Sequence, residues 1–146
     1  MRPEFDLWRS GEHNGTFRGN NLAFVGATAA LRKYWSSKSF AAGVSDRAEL
    51  VKDRLSRIVA ELPRGKAKVK GRGLMTGLEF SDANMAGEIS AQLFESGTIV
   101  ETCGVNDQVL KLLPPLNIEI EDLKLGLDAI RRAVLNAFSM EHALAS

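Results

Sequence analysis

The chain has 146 residues, of which 45% are hydrophobic and 25% are charged, and its formal net charge is +1 at pH 7. This size and composition are typical of one soluble globular domain and exclude a disordered protein. No apolar run approaches the roughly 20 residues of a membrane span, and the acidic, polar first residues do not resemble a signal peptide. The single cysteine, Cys103, excludes an internal disulfide, so we expect a cytoplasmic protein without a membrane partner.

The charge is divided unevenly along the chain. Residues 1–80 carry 15 Lys or Arg and 8 Asp or Glu, whereas residues 81–146 carry 4 and 10. The basic half is therefore the better candidate for binding anions. A nucleic-acid partner is not expected, because the basic residues from Arg64 to Arg72 have no interleaved aromatic side chains and belong to no recognisable binding module.

A polar, glycine-rich loop at residues 11–21 precedes the first predicted helix. Its glycines allow left-handed backbone and close approach to a ligand, and Thr16 adds a hydroxyl beside its own amide. Asn20 and Asn21 are good N-cap residues, so the positive end of a helix lies within a few residues of Thr16. Such a loop can hold an oxyanion. An ordinary surface turn is the alternative, because short glycine motifs often match by chance.

The next segments predict a helical arm followed by a compact unit. Residues 22–35 are apolar on nearly all sides, which predicts a helix that is buried on most sides. Small residues from 36 to 43 predict a connector, and we place a domain boundary there, with residues 1–43 before it and residues 44–146 after it. A second helix is predicted to start at about Asp46, which caps or precedes it, and to be stopped by Pro63 and Gly65. Its apolar positions recur at helical spacing: Leu50, Val51, Leu55, Ile58, Val59 and Leu62.

Four strands are predicted in the compact unit. Residues 66–71 and 74–80 predict two strands around a turn, and the first reads as an edge strand with one wet face. Residues 98–103 and 108–113 predict a hairpin, because the residues between them favour a turn.

Two more helices complete the unit. One is predicted at residues 83–96, and Gly97 ends it. The last begins near Ile120. Their predicted inward residues are Met85 or Ala86, Ile89, Leu93 and Phe94 in the first, and Leu123, Leu127, Ile130, Val134 and Phe138 in the last. The element order predicts an α+β fold in which helices cover one face of a small, mostly antiparallel sheet.

Three segments together carry a family resemblance. Gly-Glu-His-Asn-Gly-Thr-Phe-Arg-Gly-Asn-Asn at residues 11–21, Lys-Gly-Arg-Gly-Leu-Met at 70–75 and Asp-Gln-Val-Leu-Lys at 107–111 resemble class III aminotransferases, which are pyridoxal-phosphate enzymes of fold type I. The resemblance runs through the whole chain but covers only about the carboxy-terminal third of such an enzyme. It implies the C-terminal small domain of fold type I, preceded by a remnant of the large domain. It also implies pyridoxal 5'-phosphate as cofactor, amino and oxo acids as substrates, and a homodimer or higher homo-oligomer.

The resemblance assigns two groups of binding residues. Gly15 and Thr16 would bind the phosphate of the cofactor held by the neighbouring subunit. In the family, an Arg of an Arg-Gly-x-Gly-Leu pattern binds a substrate carboxylate. Here Lys70 occupies that place and Arg72 lies two residues further on, so both side chains point the same way on an extended strand. Either residue can make the contact, and a solvated basic edge strand is the alternative.

No catalytic residue and no metal site is predicted in this chain. In the family, the lysine that holds the cofactor covalently and the acid beside its ring nitrogen lie upstream of the glycine-rich loop. The chain alone is therefore expected to be inactive. His13 is expected to form a hydrogen bond to the main chain. Cys103 is expected to be buried among apolar residues and not to act as a nucleophile. The competing hypotheses are a non-catalytic α+β domain that binds a small molecule, and a fragment that docks onto a full-length homologue.

Overall fold

The computed structural model describes residues 3–5, 7–12, 15 and 18–144. The chain divides into two compact units, residues 1–40 and residues 41–146. The first unit holds a short 3₁₀ turn at Pro3–Phe5 and helix α1 at Asn21–Tyr34. Helix α2 starts at the end of the first unit. The remaining elements follow in the order α2 (Ser39–Glu61), β1 (Ala67–Arg72), β2 (Met75–Phe80), α3 (Ala83–Glu95), β3 (Glu101–Cys103), β4 (Val109–Leu112) and α4 (Ile120–Leu144).

Helix α1 begins where the sequence predicted, but it is not buried. The side chain of Asn20 caps it by accepting a hydrogen bond from the Ala23 amide at 3.1 Å. None of its residues is buried, and Leu22 is 82% exposed. The predicted burial is therefore wrong for this chain. A unit of 40 residues is too small to supply the apolar surface that such a helix requires.

Helix α2 starts earlier than predicted. It begins at Ser39 instead of Asp46, so the connector is shorter than the predicted eight-residue segment. The ring of Phe40 lies 5.0 Å from the ring of Tyr34 and 5.1 Å from that of Trp35, measured between centroids. These aromatic contacts lie within the first unit and pack Phe40 against the end of α1, and the alanines that follow favour continued helix.

The four strands form one antiparallel sheet in the order β1-β2-β4-β3. Strand β1 is at an edge, as its alternating charges predicted. Strand β3 is three residues shorter than predicted because the chain leaves the sheet before Glu101. There the carbonyl of Val100 accepts a hydrogen bond from the Ser90 hydroxyl of α3 at 2.8 Å, which ties this segment to the helix layer.

The core lies between the sheet and its helices. Leu78 and Leu110 are opposite each other in the register and are fully buried. The inward residues predicted for α4 are all buried, and those of α3 are buried except Phe94, which is 68% exposed. Phe94 is rotated by 100° around the helix axis from Leu93, so its side chain points away from the face that Ile89 and Leu93 bury in the core. On α2 the fully buried positions are Val51, Leu55 and Ile58.

Polar contacts fasten α2 to the segment that contains α4. The guanidinium of Arg47 donates to the carbonyl of Ile118 at 2.7 Å, and Arg54 pairs with Asp128 at 3.0 Å. Arg131 forms a two-point ion pair with Glu61. These contacts link α2 to α4 and to the residue two positions before it. Of the helices in the described parts of the chain, none has the length and apolar character needed to cross a bilayer.

Candidate functional site

The glycine-rich loop is described only in part. Thr16 and His13 lie outside the described residues. Gly15 is exposed, and its carbonyl accepts a hydrogen bond from the Arg18 amide at 3.2 Å. A Cβ atom at Gly15 would come within 2.7 Å of the Arg18 Nε atom, so the Arg18 side chain lies directly against the glycine. A guanidinium side chain therefore lies against Gly15, and helix α1 begins a few residues further along the chain, at Asn21. Positive charge of this kind fits an anionic group such as a phosphate.

The sheet face away from the core carries a second concentration of charge. Leu78 and Phe80 are in the core, so the residues that alternate with them on β2 point to the opposite side. We call this side the charged face. Its charged members come from all four strands: Lys68, Lys70 and Arg72 on β1, Glu79 on β2, Lys111 on β4 and Glu101 on β3. Four cations and two anions leave an excess of positive charge on this face.

Glu79 is the centre of an ion-pair cluster on the charged face. Its side chain is only 14% exposed. One carboxylate oxygen pairs with Lys68 at 2.9 Å, and the other pairs with Lys70 at 3.0 Å and accepts from the Gln108 amide at 3.3 Å. Hydrogen bonds from Lys68, then Lys70, outweigh partial burial and lower the pKa of Glu79 to about 2. Glu79 is therefore a fixed anion that holds both lysines against β2.

The lowered pKa of Glu79 predicts a specific dependence of stability on pH. The stabilising charge is fully present above the ordinary carboxyl pKa of 4.5 and is lost as the pH falls towards about 2. Replacing the carboxylate by an amide, Glu79→Gln, should lower the urea midpoint at pH 6. The difference between the wild-type chain and the variant should disappear near pH 2.

The control for this measurement is Glu88→Gln. Glu88 is exposed on α3 and forms no ion pair in the described parts of the chain. Its variant should follow the wild-type urea midpoint at every pH. A Glu79→Gln midpoint equal to that of the wild-type chain at pH 6 would show that the cluster does not stabilise the fold.

A row of four residues crosses the charged face. Lys70 is paired in register with Gly77, Gly77 with Lys111, and Lys111 with Glu101. Because strands are about 4.8 Å apart, the backbones of the two lysines are separated by about 10 Å. Gly77 has no side chain, so bare backbone lies between two cations. The sequence analysis missed Lys111 and Gly77, although the alternation of β4 already places Lys111 opposite the buried Leu110 and Leu112.

Lys70 and Arg72 differ in whether their side chains form ion pairs. Lys70 is committed to Glu79, and Lys111 is paired with Glu101 at 2.7 Å, a contact that raises the pKa of Lys111 and lowers that of Glu101. Arg72 is exposed at the end of β1 and forms no ion pair within the described part of the chain. It is the cation of the charged face that is most available to an incoming carboxylate.

Of the other candidate groups, Cys103 has a described side chain. Cys103 is half-buried on the charged face, more exposed than the sequence analysis expected. His142 is on α4, but its side chain is outside the described part of the structure. No cluster of three or more potential metal ligands occurs among the residues that the structure describes.

The family model for class III aminotransferases matches residues 4–134. The chain belongs to the class III aminotransferases. A diaminobutyrate–2-oxoglutarate transaminase from Virgibacillus pantothenticus is 44% identical over 144 residues, which is 99% of this chain and 33% of that protein. One from Halomonas elongata is 46% identical over 141 residues, 95% of this chain and 34% of that protein. The chain thus spans about a third of the length of the curated relatives it matches.

Solved structures of aminotransferases confirm the fold class. The N-acetylornithine aminotransferase of Stenotrophomonas maltophilia matches with a TM-score of 0.70 and 35% identity, covering 84% of this chain and 33% of that one. An aminotransferase of Bacillus anthracis matches the fold with a TM-score of 0.73 at 21% identity, covering 93% of this chain and 32% of that one. These neighbours are fold type I aminotransferases, a class of pyridoxal-phosphate enzymes, so the predicted α+β unit of that fold is confirmed.

Proposed function

We propose that this chain is the carboxy-terminal part of an aminotransferase that moves an amino group from glutamate to aspartate semialdehyde. The products would be 2-oxoglutarate and 2,4-diaminobutyrate, the latter used for ectoine synthesis. The supporting observation is 44% to 46% identity, over nearly the whole chain, with relatives named for the diaminobutyrate reaction. Pyridoxal phosphate, when bound, supplies the electron sink for this chemistry. The residues of this chain would contribute binding and orientation.

The first contribution we assign is a phosphate contact across a dimer interface. Gly15 and Thr16 would bind the cofactor phosphate held by the partner subunit of a homodimer or higher homo-oligomer. The Arg18 side chain against Gly15 and the N-terminus of α1 support this assignment, because both present positive charge beside an accessible backbone. The lysine and acid that complete the cofactor site in the family have no counterpart here.

The second contribution is structural and explains the exposed helix α1. An all-round apolar helix is typical of the interior of a larger domain. Residues 1–43 would be the end of the large cofactor-binding domain, and residues 44–146 the small domain. The exposure of Leu22, Phe24 and Val25 supports this division, as does the separate compact unit of residues 1–40.

The third contribution is recognition of a substrate carboxylate at the charged face. Arg72 is the better candidate of the two predicted residues, because the ammonium of Lys70 is already shared with Glu79. A guanidinium offers two parallel donors that match the two carboxylate oxygens. Lys70 and Lys111 would add positive potential from either side of Gly77 and favour an anionic substrate over a neutral one.

The chain alone is expected to be inactive. After incubation with pyridoxal phosphate and glutamate, followed by borohydride reduction and peptide mapping, we expect no specifically labelled lysine and no release of 2-oxoglutarate. The Virgibacillus pantothenticus transaminase under the same conditions serves as the positive control. Turnover by the isolated chain together with one labelled lysine would contradict the proposal.

A chimera tests the carboxylate contact in an active enzyme. The matched carboxy-terminal third of the Virgibacillus pantothenticus transaminase is replaced by this chain, and the KM for glutamate is measured. A hydrogen bond to a charged group contributes about 1.5–3 kcal/mol, so Arg72→Ala should raise KM about 10- to 150-fold. Lys70→Met should raise KM less than Arg72→Ala does.

The control in the chimera is Lys124→Met. Lys124 is on α4 and pairs with Glu121 at 2.8 Å, away from the charged face. This variant should keep the KM of the parent chimera. An unchanged KM in the Arg72→Ala chimera would show that Arg72 does not bind the substrate. An inactive parent chimera would count against the proposed reaction itself.

A further inference from the structure

We draw no further inference here: the strongest candidate, the apolar groove of about 480 Å³ between the first turns of α4 and the diverging chain segments before β3 and after β4, carries nothing because nothing in the structure shows what covers it.

Discussion

Gly77→Ala is expected to destabilise the small sheet severely. A Cβ atom at Gly77 would lie 2.2 Å from the carbonyl oxygen of Leu110 and 3.0 Å from its carbonyl carbon. Both atoms belong to the backbone of the paired strand β4, so relief requires moving β4 and not merely rotating a side chain. Overpacking typically costs about 1–3 kcal/mol, and we expect about 3 kcal/mol or more here, measured as the free energy of unfolding in urea.

A second glycine provides a matched control with the opposite expected sign. Gly87 is exposed inside helix α3, and a Cβ atom there would meet nothing within 4 Å. Gly87→Ala should therefore stabilise the chain by about 0.5–1 kcal/mol, because alanine is the better helix former. Equal effects of the two substitutions would show that the close approach at Gly77 does not constrain the sheet.

The sequence predicted α3 and α4 well because their signals are local. The stripe on α4 repeats at helical spacing, its predicted start at Ile120 is correct, and its inward residues Leu123 to Phe138 are buried. The Asp82 side chain caps α3 by accepting a hydrogen bond from the Asn84 amide at 2.9 Å. Gly97 follows the end of the helix and has a φ of 83°, in the left-handed region. Caps and periodicity depend only on neighbouring residues, so one sequence is enough to reveal them.

The errors arise where non-local contacts decide. Residues 98–100 have strand-forming composition, but Ser90 draws Val100 towards α3, and pairing starts only at Glu101. The exposed fraction of Phe94 could not be deduced from its apolar character, because that depends on where the sheet ends. The prediction that α1 is buried is wrong. Burial depends on a partner surface, and the sequence of the helix alone gives no information about that surface.

The sequence predicted some residues of the charged face but not others. The family resemblance singled out Lys70 and Arg72, and their spacing of two residues on a strand placed both side chains on one face. Glu79, which pairs with Lys70, was missed because this contact depends on the register of β1 and β2. The signal for Gly77 was present but general: an isolated glycine in a strand indicates a close backbone approach without saying to what.

Leu78→Ala is the second substitution for which we expect a large effect. Leu78 is fully buried on β2, with Val69 opposite on β1 and Leu110 opposite on β4. Removing its isopropyl group leaves a cavity that the two paired strands can close only by breaking their register. Leucine truncations at such positions cost about 2–5 kcal/mol, which is a large share of the total stability of a domain. Urea unfolding followed by circular dichroism measures the loss.

Met75→Ala on the same strand is the control that distinguishes loss of core packing from the lower strand propensity of alanine. Met75 is 63% exposed at the start of β2, so its truncation should change the free energy of unfolding by no more than about 0.5 kcal/mol. Leu78 also lies between Gly77 and Glu79 and therefore anchors the backbone that carries both. If Leu78→Ala cost no more than Met75→Ala, β2 would not be the strand that fixes the charged face, and the positions assigned to Lys70 and Arg72 would lose their support.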